Sequence, residues 1–200
     1  VEDNSSNINK PQNQMWKLWL VALVCVAPIV ASYFYYYVVK PGPSTNYGTL
    51  LDARQYPMPA LGTATLDGRP ESLDTYKGRW ILLQVDRSDC DAYCRKKLYY
   101  MRQLRLAQGK DLIRIERVWL ITDNQPLDTM LIREYDGTHM LRVNDAVLRS
   151  WLPVEQNGTL ADHIYVIDPL GNLIMRYPKN FDADKINKDI GRLLKASSIG

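Results

Sequence analysis

Polar and apolar positions divide the chain into unlike stretches. Residues 1–14 are rich in Asn, Ser and Gln and carry no apolar period, the pattern of a disordered tail. Residues 18–39 are almost wholly apolar, a run long enough at helical rise to cross a hydrocarbon core of about 30 Å. Trp16 and Trp19 stand at one end of it, and Tyr33, Tyr35, Tyr36 and Tyr37 crowd the other, as interfacial aromatics do. Pro28 falls mid-span, where a membrane helix tolerates it better than a soluble one. The pattern predicts a transmembrane anchor over 15–39. Val30-Ala31-Ser32 has the small residues of a signal-peptide cleavage site, but apolar residues continue past Ser32, which favours an uncleaved anchor. Lys40-Pro41-Gly42-Pro43 ends the helix, and 40–59 reads as a tether with little pattern.

From residue 60 the pattern is that of a folded domain, predicted over 60–196, with 197–200 as a short tail. Residues 63–66 and the following Asp67-Gly68 predict a strand and turn. The run Ile81-Leu82-Leu83-Gln84-Val85 predicts a strand. The helix expected over 91–108 places Cys94, Leu98, Met101 and Leu104 on one face. A second strand, over 112–122, alternates at Ile113 and Ile115 and becomes wholly apolar at Val118-Trp119-Leu120-Ile121, which suits a strand buried on both sides. Residues 128–135 and 146–152 predict helices, the second preceded by Asn144-Asp145 as caps and stopped by Pro153. Strands over 163–168 and 173–177 flank Pro169-Leu170-Gly171-Asn172, a hairpin with suitable turn chemistry. A closing helix over 183–195 buries Ile186, Ile190, Leu193 and Leu194. A parallel β-α-β unit joined to an antiparallel hairpin defines the expected class. It is α/β, a thioredoxin-like central mixed sheet flanked by helices, with one N-terminal transmembrane helix.

Charge and cysteine usage narrow the chemistry. A formal net charge of +3 gives no electrostatic reason to expect nucleic acid. Lys10 and Lys17 precede the apolar span while Lys40 and Arg54 follow it, so the positive-inside count is nearly a tie. A short tail inside and the large domain outside is the simpler topology. Of the three cysteines, Cys25 lies in the apolar span and reads as a small packing residue. Cys90 and Cys94 form a C-x3-C pair within Asp86-Arg87-Ser88-Asp89-Cys90-Asp91-Ala92-Tyr93-Cys94, at a strand-to-helix turn. Two sulfurs so placed can form a disulfide, share one soft metal ion, or alternate between the two. The plainer alternative is two cysteines that happen to lie at a helix start, Cys94 being also on the core stripe. Helix amide dipoles with Arg95, Lys96 and Lys97 favour a thiolate there, and Asp86, Asp89 and Asp91 oppose it. Such a pair suits an oxidising compartment. No HExxH, Walker loop, GxSxG or glycine-rich dinucleotide turn occurs, and Leu83 and Arg87 fail the peroxiredoxin pattern. A general dithiol oxidoreductase would show Trp-Cys-x-x-Cys and a proline where Asp162 stands.

The anchor, the stretch Thr63-Ala64-Thr65-Leu66-Asp67-Gly68, Lys77-Gly78-Arg79-Trp80, the Cys90-x3-Cys94 pair and Asp162-His163 with Ile167-Asp168-Pro169-Leu170-Gly171 together resemble the Sco/SenC group of membrane-anchored thioredoxin-like proteins. That group helps build the copper centre of cytochrome oxidase, and the resemblance covers most of 60–195. It implies that Cys90, Cys94 and His163 hold one copper ion, soft thiolates suiting Cu(I). His139, the other histidine, sits in the loop-like Asp136-Gly137-Thr138-His139 and reads as a surface or packing residue. The implied function is a membrane-anchored assembly factor, more a copper chaperone than a turnover enzyme. It would handle copper or reduce thiols on a respiratory oxidase subunit or another membrane complex. The implied location is the inner membrane, with the domain in the periplasm or the mitochondrial intermembrane space. A metal-free docking scaffold and a thiol-disulfide oxidoreductase are the alternatives.

Overall fold

A computed structural model of the chain describes residues 15–34, 46–197 and 199. The chain divides into two compact units, Val1–Thr45 and Asn46–Gly200. In the first, helix α1 (Met15–Phe34) carries Pro28 internally and is long and apolar enough to cross a membrane over Trp16–Phe34. Cys25 is exposed on it. The predicted tail 1–14, the end of the predicted anchor at 35–39, and 40–45 lie outside the described residues.

The second unit is built on one seven-stranded sheet. Its strands are β1 (Thr49–Leu50), β2 (Ala64–Thr65), β3 (Trp80–Asp86), β4 (Ile115–Ile121), β5 (His139–Arg142), β6 (Ile164–Ile167) and β7 (Leu173–Tyr177), in the order β1-β7-β6-β3-β4-β5-β2. β3, β4 and β5 run parallel, while β6 pairs antiparallel with β3 and with β7. β3 and β4 are buried at every position, as central strands of apolar runs must be. The helices are α2 (Ala92–Ala107), α3 (Thr129–Glu134), α4 (Asp145–Trp151) and α5 (Ala183–Ala196). Each starts at an Asp or Asn whose side chain accepts a first-turn N–H: Asp91, Asp128, Asn144 and Asp182. Alternation along the strands feeds two faces. Ile81, Leu83, Val85, Tyr165 and Ile167 pack with Leu148 and Trp151 of α4 on one side. Leu82, Ile164 and Val166 pack with α2 and α5 on the other. Between β6 and β7 the Asp168 carboxylate accepts the N–H groups of Leu170 and Asn172, and Gly171 sits at φ +91°, a conformation that costs a glycine little.

Three segments depart from the sequence-based expectations. Residues 112–114 belong to a 3-10 turn, Gly109–Arg114, and not to the strand. Ile113 is 71% exposed, and Arg114 turns back to the carbonyls of Leu194 and Ser197 at 3.0 and 2.9 Å, so the apparent alternation there has no buried side. β5 was not expected, because four residues His-Met-Leu-Arg carry too short a pattern. It forms by parallel pairing with β4, His139 opposite Val118. Residues 46–59, expected as tether, join the domain. β1 pairs with β7, Leu51, Tyr56 and Met58 pack against the core, and the buried Asp189 carboxylate accepts the N–H groups of Tyr47 and Gly48 at 2.8 and 3.0 Å.

Candidate functional site

The strand-to-helix turn after β3 delivers the two cysteines to one another. Cys90 and Cys94 are joined in a disulfide, with Cα atoms 5.1 Å apart. Asp91 caps α2 and accepts the Cys94 N–H at 2.8 Å, which fixes Cys94 in the first turn. Cys90 lies just outside the helix at φ +27°, a backbone region that costs a non-glycine residue of order 1–3 kcal/mol. Ser88 N–H is held by the Asp123 carboxylate at 3.2 Å, and Arg87 reaches the same carboxylate at 3.5 Å. Both sulfurs lie inside: Cys90 is 3% and Cys94 1% exposed, packed with Leu98, Trp119, Ile121, Leu131, Tyr135 and Met140. The flanking Arg87, Asp89, Asp91 and Ala92 are exposed, so the chain comes to the surface on either side of the buried Cys90.

The charges around the turn are arranged differently from their order in the sequence. Arg95 and Lys96 are exposed, whereas Lys97 is wholly buried. Its Nζ meets Asp86 Oδ2 at 2.6 Å and the carbonyls of Ala161 and Val85 at 2.5 and 3.5 Å. Burial pushes the Asp86 carboxyl up to about 6 against the pull of Lys97, and burial likewise lowers the Lys97 ammonium despite Asp86. Sequence reasoning counted Lys97 among the cations at the helix mouth. Its spacing, three residues after Cys94 and four before Met101, was the available sign that it faces inward. Gln84 was also missed as a site residue. It is fully buried on β3, its Nε2 stands 3.6 Å from Cys94 Sγ, and its Oε1 has no partner.

His163, expected as a third ligand, occupies another place. It ends a 3-10 turn in extended conformation just before β6, so it shares the alternation of Tyr165 and Ile167 on the α4 face. Cys94 lies on the opposite, Gln84 side of β3. The His163 Nδ1 faces the Tyr177 carbonyl at 2.9 Å, and Nε2 faces the Glu155 N–H at 3.3 Å. Nδ1 therefore donates and Nε2 accepts, which is the neutral tautomer with both nitrogens engaged. Burial holds its pKa below the usual histidine range. The neutral ring's contribution is therefore complete above the ordinary value of 6.5 and is lost as pH falls below it. His163→Ala will cost about 2 kcal/mol in urea unfolding at pH 7.5 and less at pH 5, without changing Cu(I) uptake by the reduced chain. Equal costs at both pH values, or lost uptake, would contradict this placement. His139, expected in a loop, opens β5. Its Nε2 lies 3.2 Å from Glu116 Oε2 and its ring lies 4.2 Å from that of Tyr76.

The donor set does not fit the copper site implied by the resemblance. A cysteine binds Cu(I) as its thiolate, but here both sulfurs are joined to each other and His163 spends both nitrogens on backbone groups. Among the described residues no three His, Cys, Asp or Glu side chains converge as a metal site would require. The chemistry this turn carries is a single sulfur–sulfur bond between a residue outside α2 and one in its first turn. Beside it, Leu66, which packs against the cysteine cluster, also lines an open polar cleft with Asp67, Thr122, Asn124 and Arg142.

The fold has counterparts in known proteins. No curated protein matches the chain in sequence. Yeast Sco1 with copper bound superposes with a TM-score of 0.56 at 15% identity, covering 71% of this chain and 90% of its own. BsSco, described as a Sco-family cytochrome c oxidase assembly protein with a disulfide switch, gives 0.52 at 15%, covering 71% and 95%. A thiol:disulfide interchange protein from Bacteroides sp. gives 0.52 at 19%, covering 72% and 91%. At such identities the likeness is one of fold, and that fold is thioredoxin-like, as the strand and helix order predicted. The family model for a transmembrane-like, thioredoxin-like, C-terminal domain matches residues 80–197, from the strand that carries Gln84 and Asp86 to the end of α5. With an apolar helix preceding a sheet of this topology, the chain belongs to the transmembrane-like, thioredoxin-like C-terminal domain family.

Proposed function

We propose that this chain is a membrane-anchored thiol-disulfide exchange protein that works through Cys90 and Cys94. The observation that carries the reading is the closed bridge between a residue outside α2 and one in its first turn, at the end of a central parallel strand where open α/β sheets place their chemistry. The apolar α1 would hold the domain at a membrane and raise its local concentration toward a partner held there. An oxidised pair suits the periplasm or the intermembrane space. The fold shared with a cytochrome oxidase assembly protein and with an interchange protein supports a role in assembly, acting on cysteines of a respiratory oxidase subunit or another membrane complex. Carriage of copper by Cys90, Cys94 and His163 is the less supported reading, because His163 keeps both nitrogens on backbone groups.

The burial of both sulfurs favours one rival, a docking scaffold whose disulfide is merely structural. Reduction of the folded chain separates them. The full chain in detergent is treated with millimolar dithiothreitol, quenched with a maleimide reagent, and weighed by mass spectrometry. The exchange reading expects the bridge to open and the Cys90 thiol to be labelled under native conditions, with near-UV circular dichroism retained. Labelling that appears only in guanidinium would leave the scaffold.

A further inference from the structure

Gln84 is a polar residue in a strand that is otherwise apolar from Trp80 to Val85, and packing does not explain it. Its register partners are Trp119 on β4 and Ile164 on β6, both fully buried, so the amide is enclosed on either side. Its Nε2 has one hydrogen-bond partner, Cys94 Sγ at 3.6 Å, and its Oε1 has none. A buried amide with one weak contact to a disulfide sulfur and an orphaned carbonyl costs about 1–3 kcal/mol relative to a satisfied group. A methionine or leucine would fill the same space without that cost. The amide gains a strong partner in one state of the protein, when Cys94 Sγ carries negative charge.

We infer that Gln84 is a catalytic residue for the exchange, donating from Nε2 to Cys94 Sγ as that sulfur leaves the disulfide. This rests on the exchange reading above and deepens it. A partner thiolate attacks Cys90 Sγ, forming a new S–S bond. The Cys90–Cys94 bond breaks, and its electron pair passes to Cys94 Sγ, which departs as a thiolate against the Gln84 N–H. When the partner is a dithiol, its second thiol gives its proton to solvent and attacks the partner sulfur of the mixed disulfide. Cys90 leaves as a thiolate, and the partner closes its own disulfide. Two electrons have moved to the Cys90–Cys94 pair. Because the amide is already in place and shut away from water, it stabilises the departing sulfur without reorganising.

The test uses the full chain in detergent, with dithiothreitol as the dithiol. Gln84→Met keeps the volume and removes the donor. The variant's equilibrium with reduced and oxidised dithiothreitol is expected to shift about tenfold toward the disulfide, ~30 mV for a two-electron couple, and its reduction rate constant to fall several-fold. In the unmodified chain, side-chain amide protons of Gln84 are expected to move downfield in the NMR spectrum on reduction, a readout that does not depend on a variant folding. Unchanged potential and rate in a folded Gln84→Met, or unmoved amide signals, would overturn the role of Gln84 and leave exchange standing. An unmodified chain that dithiothreitol reduces only after unfolding would remove the exchange reading and this role together.

Discussion

Lys97→Ala will destabilise the thioredoxin-like domain by about 3–5 kcal/mol, the cost of breaking a buried ion pair by removing one partner. Among the described residues Nζ of Lys97 is the one cation within hydrogen-bond reach of the Asp86 carboxylate, at 2.6 Å, and two carbonyls complete its shell. Without it the carboxylate is left buried and uncompensated, and the Val85 and Ala161 carbonyls lose a donor. For a domain of this size the melting temperature falls by about 10 °C. The effect will depend on pH in a stated direction. Asp86 stands at about 6 in the fold against 3.8 unfolded, so between those values the native state binds the extra proton. Stability from this group therefore falls as pH rises toward 6 and is lost above it. Removing Lys97 raises the carboxyl further, so the variant's deficit will be smaller at pH 5 than at pH 8. Urea melts at both values measure it, and a deficit that grows in acid would refute the account. Asp86→Asn combined with Lys97→Met will recover much of the loss, since the two residues share one interaction.

The cysteine variants will separate the two sulfurs by role. Cys94→Ser, made like Cys90→Ser in a chain that also carries Cys25→Ser to remove its free thiol, will leave Cys90 as a lone thiol that forms a mixed disulfide with oxidised glutathione and cannot resolve it, and turnover with a dithiol will drop to background. Cys90→Ser will abolish exchange as well, but its remaining Cys94 thiol will resist iodoacetamide in the folded chain. Cys94 lies on the core stripe of α2 and is 1% exposed, whereas Cys90 precedes the helix between exposed Asp89 and Asp91. Either change also removes closure of a five-residue loop, worth about 2 kcal/mol by chain entropy. Intact mass after each incubation reads the outcome. A Cys90→Ser chain that takes up glutathione faster than Cys94→Ser would reverse the assignment of attacked and leaving sulfur.

Buried charge and redox chemistry meet at one strand end in this fold. Gln84 and Asp86 lie two residues apart on β3 and so on the same face. Gln84 touches the leaving sulfur, and Asp86 is tied to α2 through Lys97. The ion pair pins the strand end to the helix that carries Cys94. Cys90, itself buried, follows that strand end between exposed Asp89 and Asp91.

Periodic and compositional signals were enough for most of the longer strands and helices and for the strand-to-helix turn that carries the cysteines. The apolar runs at 81–85 and 118–121, the stripe through Cys94, Leu98, Met101 and Leu104, and the Asp or Asn at each helix start are local signals, and local physics fixed them. Contacts distant in sequence decided the rest. β5 exists because β4 offers it an edge, and residues 46–59 join the domain through β7 and Asp189. His163 turned from an expected ligand into a neutral structural histidine because its register set its face and the Tyr177 and Glu155 main chains claimed both nitrogens. Lys97 and Gln84 acquire meaning only from what the fold buries beside them. A residue's type and spacing are set along the chain, but the partner that satisfies a buried polar atom comes from another element, so only tertiary structure could show which sulfur has a donor and which histidine has none to spare.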